Sequence, residues 1–147
     1  MAKAQVSEIT IMNDSGLPLL VYNAQEGKVD MEALSAGGTS MRSSLLVAAI
    51  QALAKGEKLS SFVSLEGKKH LLLKKENIII NVTFTGDVDE YTENAYIFAY
   101  AVLHAILRIH EYTNLLIDFV DVNEYVNTVG PIFQKFVSKL MQRLELK

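Results

Sequence analysis

The order of structural signals along the chain limits its fold more than any motif does. Residues 7–12 alternate polar and apolar, Asn13-Asp14-Ser15-Gly16 carries turn chemistry, and residues 17–22 resume an apolar run, so the opening reads as a hairpin. One helical stretch follows, then three strand-like stretches, then two long apolar helical ones. Two antiparallel groups joined by a single covering helix fit one five-stranded sheet, which the closing helices shield. The expected class is α+β: a five-stranded antiparallel sheet with one helix between strands 2 and 3 and two C-terminal helices, in the order β-β-α-β-β-β-α-α. At 147 residues, with no linker-like segment, residues 1–147 form a single domain in this reading.

Local signals set the expected boundaries. Pro18 lacks an amide donor, so the second strand starts late or lies at a sheet edge. Residues 23–28 form a polar connection, and Asp30 is a candidate N-cap for a segment in which Met31, Leu34, Met41, Leu45, Ala48, Ala49 and Ala52 recur at helical spacing. Gly37 and Gly38 interrupt that segment, which favours a start at Thr39 or Ser40; Lys55-Gly56-Glu57 is the stop. Residues 59–65, 70–74 and 78–85 read as a three-strand meander with short turns. Thr92 caps a helix running to about Tyr112, with Arg108, His110 and Glu111 marking its wet end. The last helix covers residues 122–144, and Pro131 is expected to break it near Gly130.

Composition removes several function classes. Fourteen basic and 17 acidic side chains are interspersed, the net charge is -3, and no basic patch argues for nucleic acid. Without cysteine there is no thiol nucleophile, disulfide frame or zinc ribbon, and a reducing compartment is the natural setting. The N-terminus has no apolar run of signal-peptide type, which leads to the expectation of a cytoplasmic protein, at most peripheral at membranes. The longest uncharged run, residues 94–107, is 14 residues and falls short of the roughly 20 needed to span a bilayer.

No cluster names a reaction. His70 lies among lysines, and His104 and His110 sit six apart on a helix and point to different faces, so no metal site is expected. No Gly-x-Ser-x-Gly elbow occurs, and Gly37-Gly38-Thr39-Ser40 lacks the lysine of a P-loop. The pairs Lys68-Lys69 and Lys74-Lys75 place four cations on one hairpin, suited to anionic headgroups or to guarding a strand edge. Asp87, Asp89, Glu90 and Glu93 lack calcium-loop spacing and read as partners of a helix dipole. Six tyrosines in a chain without tryptophan suit a partly wet contact surface.

Three phrases carry a family resemblance. Ile9-Thr10-Ile11-Met12-Asn13-Asp14-Ser15-Gly16-Leu17-Pro18-Leu19 is similar to the first hairpin of longin domains, in the profilin-like group that includes roadblock domains. Ser44-Leu45-Leu46-Val47-Ala48-Ala49-Ile50-Gln51-Ala52-Leu53 resembles their first helix, and Gly130-Pro131-Ile132-Phe133-Gln134-Lys135-Phe136 resembles the closing helix of small archaeal members. The resemblance implies a non-enzymatic protein-interaction platform, without cofactors, that regulates or scaffolds small Ras-like GTPases or membrane-trafficking assemblies as a homodimer or a subunit of a larger assembly. Longin SNAREs continue into a heptad helix and an anchor, whereas this chain ends at Lys147, so a stand-alone longin is expected. These families have no catalytic residues to transfer.

Partner contact is expected from physical grounds at a sheet edge and its neighbouring helix, namely residues 59–65 and the exposed face of residues 39–55, with Ser61, Val63, Met41, Ser44 and Gln51 as contact residues. The alternative is a PAS-like small-molecule sensory domain, which would show an apolar cavity behind the sheet. An enzyme would need His70 or His104 to meet a carboxylate in a cleft.

Overall fold

The structure, a computed structural model, describes residues 5–35, 44–65, 67–86, 93–115, 117 and 120–143. Its strands are β1 (Gln5–Asn13), β2 (Pro18–Asn23), β3 (Lys28–Val29), β4 (Ser60–Leu65), β5 (Lys68–Lys75) and β6 (Ile78–Thr85). Its helices are α1 (Met31–Ser35), α2 (Ser44–Ala54), α3 (Glu93–Thr113) and α4 (Val122–Arg143). The sheet is antiparallel with order β3-β2-β1-β6-β5-β4. The α+β class with an antiparallel sheet is therefore observed, but with six strands where five were expected and four helices where three were expected.

The extra strand arises inside the polar connection. Asn23 Oδ1 accepts the amides of Gln25 (3.0 Å) and Glu26 (3.1 Å), and Gly27 takes a positive φ of 68°. This Asx turn sends Lys28 and Val29 back along Asn23 and Tyr22. Asp30, a candidate cap in the sequence, caps a separate short helix, α1, its Oδ1 accepting the Ala33 amide at 3.0 Å, where the favoured reading has the helix start only at Thr39 or Ser40. The expected caps Thr39 and Ser40, Glu66, the loop carboxylates Asp87, Asp89 and Glu90, Thr92, Leu144 and the contact residue Met41 all lie outside the described residues.

Alternation assigns one sheet face to each helical layer. Ile9, Ile11, Leu20, Tyr22, Leu71, Leu73, Ile80, Val82 and Phe84 pack against α3 and α4, giving the larger core with Phe98, Val102, Ile106, Tyr125, Val129 and Phe133. Met12, Leu72, Ile79 and Val63 face the other way and meet Leu46, Ile50 and Leu53 of α2 in a smaller core. Burying a large aliphatic or aromatic side chain is worth about 1.5–3 kcal/mol, so the α3/α4 layer carries most of the stability.

The expected break at Gly130-Pro131 does not occur; α4 runs through Pro131. Val126, Val129 and Phe133 are buried on either side of it, and Gly130 lies beside Leu20 and Val29. Pro131 itself is exposed, as is Asn127, whose carbonyl loses its helical donor to proline. Tertiary packing on both flanks keeps the helix continuous where the local sequence disfavours it. Pro18 begins β2, where no strand needs its amide: β3 pairs only with Tyr22 and Asn23.

Candidate functional site

The two edges of the sheet differ in protection. At one edge β3 is two residues long, carries Lys28 paired with Glu26 at 3.6 Å, and its Val29 amide donates to Gln134 Oε1 of α4 at 3.4 Å. Short length, charge and a covering side chain are the standard guards against strand addition. At the other edge β4 has six residues, Ser-Ser-Phe-Val-Ser-Leu, with no charge, proline or bulge.

The groups β4 offers outward can be worked out from the ladder. The Lys74 amide donates to the Leu59 carbonyl at 3.0 Å, which makes Leu59 and Lys74 a hydrogen-bonded pair one step before Ser60 pairs with Leu73. Because such pairs alternate in an antiparallel ladder, Ser61, Val63 and Leu65 direct their backbone groups to β5. Ser60, Phe62 and Ser64 direct theirs to the open edge.

Beside this edge lies α2, which has no charged residue in eleven and exposes Leu45, Val47, Ala48 and Gln51. Leu45 is 52% exposed, and Leu59, just ahead of β4, is 75% exposed, whereas Val47, 41% exposed, borders the cleft by the β1–β2 turn. An uncharged helix with apolar side chains on both its buried and its outer face departs from the usual surface pattern.

The expected contact residues divide accordingly. Ser61 is half-buried on β4, next in the chain to the outward-facing Ser60 and Phe62. Val63 is buried beneath α2 in the smaller core, so a charge there would disrupt packing. Ser44 opens α2. Gln51 lies on the opposite flank of the helix, where with Val47, Ile50, Met12 and Gly16 it lines a half-open cleft of about 190 Å3. Ser60, Phe62 and Ser64, which the sequence reading did not select, follow from hydrogen-bond parity alone.

Among the described residues the three histidines lie apart from one another. His70 is buried, with Nδ1 3.1 Å from Thr83 Oγ1, and Asn81 Nδ2 donates to Thr83 Oγ1 at 2.9 Å. Burial lowers the His70 pKa, the Asn81 side chain opposes that, and the Lys68 charge reinforces it. His104 is exposed on α3, whereas His110, expected at the wet end, is buried between α3 and α4 with Nε2 2.6 Å from Tyr125 Oη. Burial pushes the His110 imidazole down to about 4 and the Tyr125 phenol up. Among the described residues no three His, Asp or Glu side chains group to hold a metal ion. The paired lysines fall at opposite ends of β5, and Lys74 Nζ donates to the Ala54 carbonyl at 3.3 Å, so they form no single basic patch. No helix among the described residues is long and apolar enough to cross a membrane. No protein-family model, curated protein or solved structure matches the chain.

Proposed function

We propose that the chain is a protein-interaction platform of the longin type, which acts without catalysis by docking partners on the β4 edge and the outer face of α2. The observation that carries this reading is the contrast between the two edges: β3 is short, charged and covered, while β4 is long, neutral and open beside an uncharged helix. Such an edge recruits a strand, and the adjoining apolar helix face supplies the desolvated area that gives affinity. A second copy meets no like charge across either element, which supports a homodimer; small Ras-like GTPases or trafficking subunits are the heterologous partners the reading names. It places the protein in the cytoplasm, at most peripheral at membranes.

Ser64→Pro tests the edge. Its amide faces outward, so proline there leaves the β4–β5 ladder intact while removing a donor from strand addition. In light scattering coupled to size exclusion, the wild type is expected to be dimeric and Ser64→Pro and Leu45→Glu monomeric, each with unchanged circular dichroism. A pull-down against the host's small GTPases, loaded with GDP or GTP, tests the heterologous arm. A monomeric wild type that also captures no GTPase, or a Ser64→Pro variant that associates like the wild type, refutes the reading.

A further inference from the structure

On the sheet face that also carries α2, two successive residues of β1 line a single cleft. In a regular strand Ser7 and Glu8 would point to opposite faces. A bulge in β1, where Val6 opposes Phe84 and Glu8 opposes Thr83, leaves Ser7 as an extra residue, and both Ser7 and Glu8 border the same cavity. Bulges of this kind re-aim side chains and are over-represented beside functional sites. The cavity has a volume of about 210 Å3 and its walls include Asn23, Asp30, Lys68 and Thr85. That volume is below the roughly 300–1,000 Å3 of sites for drug-sized molecules and equals the share of a handful of waters, so it suits a metabolite of few heavy atoms.

The sheet face beneath departs from apolar packing in the same region. The cross-strand row through Glu8 continues into Thr83 and His70, and the next row contains Thr10 and Asn81; these last four are buried. Thr10 donates to Glu8 Oε1 at 3.3 Å, and Asn81 Oδ1 has no hydrogen-bond partner. The opposite face of the same strands is wholly aliphatic or aromatic from Ile9 to Ile11 and Ile80 to Phe84. A buried polar row costs stability that an apolar one would not, and such departures concentrate at binding sites.

The charges at the wall specify a ligand. Glu8 and Asp30 contribute two carboxylates, the second fixed by its cap on Ala33, and Lys68 contributes one ammonium. We propose that this cleft binds a small zwitterion of free amino-acid type, its ammonium held by Glu8 and Asp30 and its carboxylate by Lys68 Nζ. This site does not rest on the docking reading for β4: a monomeric chain that also captures no GTPase would sink that reading and leave this one standing.

The test is a titration of the full, isotope-labelled chain with each standard L-amino acid at millimolar concentration, followed by amide chemical shifts. At least one amino acid is expected to give saturable shifts centred on Ser7, Glu8, Asn23, Ala33 and Thr85, with the matching simple amine and simple carboxylate, such as ethylamine and propionate for alanine, giving none. Glu8→Gln and Lys68→Met are expected to weaken binding at least about tenfold, since each removes one charge-assisted contact. Should Glu8→Gln fail to fold, Lys68→Met, at an exposed position, carries the test. No saturable shift with any amino acid, equal binding of the amine alone, or a folded Lys68→Met variant of unchanged affinity overturns the proposal.

Discussion

Replacing Tyr125 by phenylalanine isolates a buried hydrogen bond that joins α3 to α4. The ring is fully buried and stays so, because phenylalanine differs only by the hydroxyl. His110 Nε2 lies 2.6 Å from that hydroxyl, and its Nδ1 has no hydrogen-bond partner, so the variant strands the second ring nitrogen as well. A typical net hydrogen bond is worth about 1 kcal/mol and an unsatisfied buried polar group costs about 1–3 kcal/mol, which sets the expected loss at about 2 kcal/mol. For a chain of this length that corresponds to a fall in Tm of roughly 4–8 °C. The assay is urea unfolding at neutral pH, with the slope unchanged and protein concentration fixed so that self-association does not enter. His110→Leu in the Tyr125→Phe background removes the stranded group, so the double variant should lose less than the sum of the singles by about 1 kcal/mol. A single-variant loss below about 0.5 kcal/mol, or strict additivity, refutes the view that this bond ties the helices together.

Acid should loosen the same contact. The folded His110 pKa lies near 4, below its ordinary 6.5, so the unfolded chain binds more protons between those values and stability falls as pH drops from 6.5 toward 4. The His110 shift alone corresponds to about 3 kcal/mol, His70 shifts in the same direction, and His110→Leu is expected to flatten the profile in urea titrations at several pH values. Gly16 has φ +85° and a Cβ added there would sit 2.8 Å from Ile50 Cγ2, so Gly16→Ala should cost about 2 kcal/mol or more by urea unfolding. Gly130 is the opposite case: a Cβ would meet Val29 Cγ2 at 3.5 Å and Leu20 Cδ1 at 3.8 Å, so Gly130→Ala should raise stability by up to about 1 kcal/mol. Hydrogen exchange should show α2 amides exchanging faster than those of β1, β6 and α3, because α2 rests on the smaller core.

The sequence announced the elements whose period is strong. The Asx turn at Asn13, the meander of β4 to β6, the cap at Asp30 and the apolar faces of α3 and α4 were all readable, because each is set by local chemistry or by a repeat of two or about 3.6 residues. What escaped depended on distant parts of the chain. Lys28 and Val29 are too few to show a strand pattern and become one only because the turn at Asn23 delivers them to Tyr22. Pro131 reads as a helix breaker until Val126, Val129 and Phe133 are seen to clamp both sides. His110 reads as a surface residue until Tyr125, fifteen positions later, closes over it. For the candidate surface, the helix and the edge strand were legible as uncharged runs, but the inward turn of Val63 and the outward backbone of Ser60, Phe62 and Ser64 depend on pairing register.

The two faces of the sheet are unequal, and the inequality bears on where function is placed. Among the described residues the α3/α4 side unites 24 buried apolar side chains and the α2 side seven. A domain retains only about 5–15 kcal/mol of net stability, so an orphaned acceptor at Asn81 or an exposed leucine on α2 is tolerable only where another part of the molecule holds the fold. The heavy layer does so here, which leaves the lighter one free to depart from apolar packing toward one end and to present uncharged surface toward the other. Covering Leu45, Leu59 and the outward amides of β4 with a second copy would then complete a core that a single chain leaves thin. On this view association and the stability of the α2 layer are one property measured in two ways, and a substitution that weakens either should weaken both.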